Sequence, residues 1–236
     1  KYNSLKRIKG ANHLAIADFG PRNIERLLSF LEVAQASSRQ LLITLKDAYL
    51  LYAMNCLDPA VPTPRNHPQL KVYDEPKGSL GTWEHLLREQ YAGSLVPPEQ
   101  VSADPAEFIL AFSFWDIKHL IDISPRSGTY IYSSSEMYDE EQAADFRRLH
   151  QWLDHFNIKG IGLPMESKSA GKTEWSIPEE ERGFHASGHA TGDELVTLIK
   201  EISPQVLIPV HTPANGYSYF QEELKGTNIQ VLHARP

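Results

Sequence analysis

The sequence predicts an α/β protein whose core is a parallel sheet. A strand–turn–helix–strand–helix rhythm opens the chain, the pattern of a parallel α/β layer. The same rhythm returns after a proline-rich interruption. With 41% hydrophobic and 22% charged residues, the chain has the apolar content to build such a core.

Leu14–Phe19 is a short apolar run that reads as the first strand, and Gly20-Pro21-Arg22-Asn23 turns the chain. From Ile24 to Ala36, residues Ile24, Leu27, Leu28, Leu31 and Val33 or Ala34 recur at helical spacing. Leu41–Leu45 reads as the next strand and Lys46–Met54 as the next helix. Prolines at 59, 62, 64, 68, 76, 97, 98 and 105 then break the pattern. Residues 58–105 are therefore expected to form an irregular excursion, with one helix over Trp83–Tyr91, and not a separate domain. Strands are expected again at Glu107–Phe114 and Gly128–Ser133. Asp139–Phe156 is the clearest helix: Phe146, Leu149, Trp152, Leu153 and Phe156 line one face, and acids crowd its first turn, where the helix dipole favours them. Ser167–Arg182 is polar and reads as an exposed connection, with Glu179–Glu181 as a solvated face. Beyond it the pattern predicts a helix over Gly192–Ile202, a strand over Val206–Val210, a helix over Gly216–Leu224 and a last strand at Ile229–Leu232.

The net charge of −7 argues against a protein that coats nucleic acid by bulk electrostatics, so any such contact must be local. A single cysteine, Cys56, rules out a disulfide within the chain, and it has no evident base to make it a nucleophile. Phe108–Trp115 is far too short to cross a bilayer. The basic start is followed by no apolar stretch of the secretory kind. The expectation is a soluble cytoplasmic protein with no membrane partner.

The residues with the most chemical promise lie between Gly183 and Pro213. His185 and His189 are flanked by Ala186, Ser187, Gly188 and Ala190, small neighbours that let the backbone approach a ligand. Thr191 or Asp193 supplies a cap for the following helix. The strand Val206–Val210 runs directly into His211, and in open α/β sheets ligand-binding groups gather at the carboxyl ends of strands. A loop pair and a strand-end histidine can thus converge on one site. A His-x-x-x-His pair alone is also common among ordinary surface and core histidines. His150 and His155, on the long predicted helix, are read as solvated or packing residues. Lys46-Asp47 could face the same edge, although a helix start explains Asp47 equally well.

His185-Ala-Ser-Gly-His189-Ala, Asp193-Glu-Leu and Ile202-Ser-Pro-Gln-Val-Leu-Ile-Pro-Val-His211 resemble the closing segment of the β-CASP metallo-β-lactamase nucleases, which include the ribonuclease J group. Phe19-Gly-Pro-Arg-Asn23-Ile-Glu-Arg26 resembles the turn and helix that open the β-CASP domain. Tyr130-Ile-Tyr-Ser133-Ser-Ser-Glu136 resembles the strand that ends in a serine-rich loop at the active cleft. The resemblance implies a Rossmann-like parallel β-CASP layer over residues 1–182, then the closing segment of a metallo-β-lactamase αββα sandwich over 183–236. It implies His211 as the last zinc ligand, and His189 as the group that supports proton transfer or charge at the scissile phosphate. His185 and Ser187 would bind the phosphate. Ser133, Ser134 and Ser135 would add donors, and Asn23 and Arg26 would face the cleft. The implied activity is zinc-dependent hydrolysis of nucleic acid, most readily single-stranded RNA, by an enzyme that is often a homodimer.

Two departures narrow this expectation. Thr212-Pro213 replaces the usual Gly-Glu after the terminal histidine. The chain also has no His-x-His-x-Asp-His cluster. A hydrolytic zinc needs about three protein ligands and a water, which His211 alone cannot supply. The sequence therefore reads as the C-terminal portion of a longer enzyme, without the N-terminal metal-binding half and inactive by itself. A non-catalytic nucleic-acid-binding or interaction module and a lactamase-fold hydrolase of another ester are the alternatives.

Overall fold

The computed structural model describes residues 2–20, 22–134, 140–169, 172–184, 190–210, 212 and 214–233. Two compact units divide the chain, Lys1–Ala186 and Ser187–Pro236.

The first unit opens with helix α1 (Tyr2–Ile8), strand β1 (Leu14–Asp18), α2 (Ile24–Ala36), β2 (Gln40–Ile43) and α3 (Leu45–Asn55). Then come β3 (Leu70–Tyr73), α4 (Thr82–Gln90), β4 (Leu95–Val96), α5 (Pro98–Ala103) and β5 (Phe108–Leu110). A 3₁₀ helix over Phe114–His119 leads to α6 (Leu120–Ile123), β6 (Gly128–Tyr132), α7 (Glu140–His155) and β7 (Ile158–Ile161). The seven strands form one sheet in the order β4-β3-β2-β5-β1-β6-β7, and every pairing is parallel. This is the parallel α/β layer expected from the alternating rhythm.

Both faces of the sheet are covered, so its strands are apolar on both sides. Ala15, Ala17, Leu41, Ile43, Ile109 and Ile131 pack towards α2 and α3, where Leu27, Phe30, Leu31 and Leu51 meet them. Leu14, Ile16, Leu42, Leu110 and Tyr130 point the other way, towards Val101, Ile117, Leu120, Leu149 and Leu153. The connection after β1 thus covers one face and the connection after β6 the other. Adjacent strands whose chains leave in opposite directions make a topological switch point, with a crevice outside their carboxyl ends.

The amino ends are held differently. Arg39, buried ahead of β2, donates to the carbonyls of His13 (3.0 Å), Phe108 (3.3 Å), Ile8 (3.4 Å) and Ala11. One guanidinium thereby ties α1, the start of β1 and the start of β5 together. His13 Nε2 lies 2.8 Å from Thr129 Oγ1, which joins β1 to β6 at the same edge.

Three stretches differ from the sequence expectation. Residues 58–105 hold β3, β4 and a second helix, α5, as well as the expected helix α4. These strands are short, prolines flank them, and β4 pairs on one side with β3 among the described residues. The strand expected over Glu107–Phe114 stops at Leu110, because Ser113 and Asp116 form a capping box: Ser113 Oγ donates to Asp116 Oδ2 at 2.6 Å and Ser113 N at 3.0 Å. The polar connection 167–182 contains most of an antiparallel hairpin, β8 (Met165–Ser169) with β9 (Lys172–Ser176), from which Glu166 pairs with Arg147.

The second unit holds α8 (Gly192–Ile202), β10 (Val206–Leu207), α9 (Ala214–Glu223) and β11 (Gln230–Val231). Thr191 caps α8 in a box with Glu194. Strand β10 pairs in parallel with β11 and ends three residues before Val210, since Pro209 has no N–H for the ladder. Tyr219 Oη donates to Asp193 Oδ1 at 2.6 Å, and Tyr217 Oη to the Val231 carbonyl at 3.3 Å. Leu198, Ile202, Ile208 and Val210 are exposed.

Replacing Arg39 with Met leaves four carbonyls without their donor. The urea midpoint of the first unit is expected to fall by an amount equivalent to about 3 kcal/mol. Arg148→Met, on an exposed helix face, should change stability by less than about 0.5 kcal/mol.

Candidate functional site

Asp18 is the last residue of β1 and stands at the switch point. It is buried, although it is ionisable. The Tyr130 hydroxyl, from the neighbouring strand β6, donates to Asp18 Oδ2 at 2.5 Å, and Ser133 N donates to the Asp18 carbonyl at 2.7 Å. Burial pushes the Asp18 carboxyl up to about 7; the Tyr130 hydroxyl opposes that shift and the Asp116 carboxylate adds to it. Burial and the Asp18 carboxylate raise the Tyr130 hydroxyl in turn, well above its ordinary value.

The same edge holds two more acids. Asp47 accepts from Thr44 Oγ1 at 2.8 Å as the N3 partner of the box that starts α3. Burial raises it to about 6, against the Thr44 hydrogen bonds, and Asp116 again adds to the shift. Asp18, Asp47 and Asp116 follow β1, β2 and β5, so three carboxyls share one field at the carboxyl edge of the sheet.

Beside Asp18 lies a cavity of about 330 Å³, lined by Phe114, Trp115, Tyr132, Phe146 and Asp145. Phe114 meets Trp115 edge-on at 5.2 Å, and Tyr132 meets Phe146 edge-on at 5.4 Å. Phe146 is buried, whereas Trp115 is 75% exposed.

Of the site residues expected from the sequence, Asn23, Arg26, Ser133 and Ser134 are described. Asn23 is the N-cap of α2, its Oδ1 accepting from Arg26 N at 2.9 Å. Burial lowers the Arg26 guanidinium from its ordinary value. Ser133 is buried and Ser134 half-buried, directly after β6. Because β1 and β6 are paired, Asn23, Arg26, Ser133 and Ser134 belong to the same edge as Asp18. Ser135, His185, Ser187, His189 and His211 lie outside the described residues. His150 Nε2–H donates to the Pro164 carbonyl at 2.9 Å, and His155 packs edge-on to Phe156, so both serve packing.

Sequence reasoning missed Asp18, Tyr130 and Asp116. A signal was present for Asp18: one acid closes the apolar run Leu14–Phe19, where a strand would deliver it to the ligand edge.

Among the described residues, no group of three or more His, Cys, Asp or Glu could hold a metal ion. The three acids at the sheet edge do not form one. No helix among the described residues is long and apolar enough to cross a membrane.

Residues 182–234 match the Zn-dependent metallo-hydrolase RNA specificity domain. The match covers under a quarter of the chain and contains His185, Ser187, His189 and His211. It supports the metallo-β-lactamase/β-CASP superfamily, a family of zinc-dependent hydrolases with RNA specificity, without singling out the ribonuclease J-like group. No curated protein matches the chain.

The Asp18 shift has a sign that can be measured. The folded chain keeps a proton that the unfolded chain releases between the ordinary value of 3.8 and about 7. Stability from protonated Asp18 is complete below that window and declines as pH rises through it, at up to about 1.4 kcal/mol per pH unit. Asp47, raised to about 6, contributes in the same direction. Urea unfolding at pH 4.5, 6 and 7.5 should show the decline in the wild type and a flatter one in Asp18→Asn. Equal slopes would mean that Asp18 titrates normally. Asn23→Ala should cost about 1 kcal/mol through loss of the cap.

Proposed function

We propose that this chain is the β-CASP and closing portion of a zinc-dependent phosphodiesterase that hydrolyses RNA. The observation that supports this reading best is the match to an RNA specificity domain over the segment holding His185-Ala-Ser-Gly-His189 and His211. Residues 1–182 are taken as the β-CASP layer, and 183–236 as a segment that completes a metallo-β-lactamase sandwich. The exposed apolar side chains Leu198, Ile202, Ile208 and Val210 favour a segment that finishes its core against another layer. The remaining zinc ligands come from outside these 236 residues, and the chain alone is inactive.

Each residue has a task that this chain can perform. His189 supports departure of the leaving oxygen by holding or delivering a proton. His185 and Ser187 bind the phosphate. Ser133, Ser134 and Ser135 offer donors from the end of β6. Asn23 orders the start of α2, and through it places Arg26. His211 is a zinc ligand, and zinc supplies activation of water and charge for the phosphate oxygens. The substrate is single-stranded RNA, the location cytoplasmic and the assembly a homodimer in this reading.

A second reading is a non-catalytic RNA-binding or interaction module. The sequence favours it in one respect, since it carries no His-x-His-x-Asp-His cluster.

The two readings part in the full-length, zinc-loaded protein. His189→Ala is expected to lower RNA hydrolysis by about 10²–10⁴-fold with bound zinc unchanged. His211→Ala is expected to lower zinc content, measured by metal analysis of the purified protein. Wild-type turnover in either variant would remove the role given to that histidine. Absence of hydrolysis in the zinc-loaded wild type, with RNA binding retained, would favour the binding module.

A further inference from the structure

Asn215 and Gly216 carry a covalent reactivity that the chemistry above does not use. They form the one Asn-Gly pair in the sequence; every other asparagine is followed by serine, histidine, isoleucine or cysteine. The side-chain amide carbon of an asparagine can be attacked by the next backbone nitrogen, which closes a five-membered ring. A side chain on that next residue shields the nitrogen. Glycine has none, and its backbone bends into the ring without a Cβ clash.

The local geometry favours the same attack. Asn215 and Gly216 are the second and third residues of α9 (Ala214–Glu223). The first four N–H groups of a helix have no carbonyl to meet within it. Gly216 N donates instead to Asn215 Oδ1 at 3.0 Å, so the side-chain amide is folded back over the nitrogen that attacks it. Asn215 is exposed, and water and hydroxide reach the pair. Other asparagines are turned elsewhere. Asn23 Oδ1 accepts from Arg26 N at 2.9 Å, Asn66 Oδ1 from Thr63 N at 2.6 Å, and Asn55 Nδ2 donates to the Val61 carbonyl at 2.8 Å.

We infer that Asn215 deamidates in the folded protein, through a cyclic imide with Gly216, to isoaspartate and aspartate. Hydroxide takes the Gly216 N–H proton. The nitrogen bonds to Asn215 Cγ, and the Cγ–Nδ2 bond breaks with loss of ammonia. Water then opens the imide. Cleavage between Cγ and the nitrogen restores the ordinary backbone with an aspartate. Cleavage between the backbone carbonyl carbon and the nitrogen leaves the chain running through the side chain, as isoaspartate. Both products place a new negative charge four residues after His211. Aspartate suits the first turn of a helix, where the dipole favours an acid. Isoaspartate adds a methylene to the backbone there. Helix α9 is held by Tyr217 Oη on the Val231 carbonyl and Tyr219 Oη on Asp193 Oδ1, two and four residues from the change. Isoaspartate therefore loosens α9, and aspartate does not.

Peptide mapping by mass spectrometry tests this on the purified protein, incubated at pH 8 and 37 °C. The peptide holding residue 215 should gain one mass unit, with ammonia released in equal amount, at least about tenfold faster than the peptides holding Asn23, Asn66 and Asn228. Isoaspartate should be the larger product, detected by enzymatic methylation of its carboxyl. Gly216→Ala, which sets a methyl group beside the nitrogen and improves the helix, should slow the reaction by about tenfold or more. The protein in urea supplies the rate of the unfolded chain, and the folded protein should react at a comparable rate. Residue 215 intact in the folded protein while it reacts in urea overturns the proposal. So does an unslowed reaction in Gly216→Ala, or aspartate as the sole product, since neither passes through the ring. Amide hydrogen exchange separates the two products: α9 should exchange at least about fivefold faster in the isoaspartate fraction than in Asn215→Asp. Equal exchange overturns the loosening of α9.

Discussion

Strand β1 lies between β5 and β6 with helices over both faces, and every residue from Leu14 to Asp18 is buried. No polar atom on this strand can turn to bulk water, so each must find a partner within the protein. At the amino end the partner is Arg39, which collects the carbonyls of four residues from three segments. At the carboxyl end it is Tyr130, whose hydroxyl meets Asp18. Helix α2 leaves β1 towards one face while α7 leaves β6 towards the other, and the crevice between them follows from that divergence. The candidate site is thus a property of the central strand before it is a property of any loop.

The rhythm of the sheet was legible because strands buried on both faces must be continuous apolar runs, as Leu14–Phe19 and Leu41–Leu45 are. The edge of the sheet was not legible. Strands β3 and β4 are four and two residues long and lie among prolines. They exist because β2 offers a ladder, a tertiary cause that local pattern does not contain. The stop of β5 at Leu110 is a case of local chemistry overriding propensity: Ser113 and Asp116 close a capping box before Phe114 can extend the strand. The histidine motif was legible as sequence, since spacing and small neighbours are local. The meeting of Asp18 with Tyr130 joins residues 112 positions apart, and only the register of β1 on β6 brings it about.

Charge is distributed in a way that the net value of −7 conceals. At the carboxyl end of β3, Asp74 pairs with Arg88, and Glu75 with Lys77 and Lys118. His119, buried against Tyr73 and Phe112, is held below its ordinary value by burial although Glu75 lies 3.7 Å from its Nε2. At the ends of β1 and β2, Asp18 and Asp47 are met by hydroxyls and a backbone N–H instead of cations. The sheet edge is therefore ionically satisfied on one flank and poised near neutrality on the other. Neighbouring stretches of one surface can consequently present different faces to an anionic polymer.

The pair β10–β11 has a bearing on what such a chain can pair with. Two strands of two residues each, with Ile208 and Val210 exposed just beyond, leave ladder positions unfilled among the described residues. An open strand edge does not discriminate by origin and accepts the first extended segment that reaches it. At that edge an extended segment of the same molecule and one of another copy meet the same backbone groups.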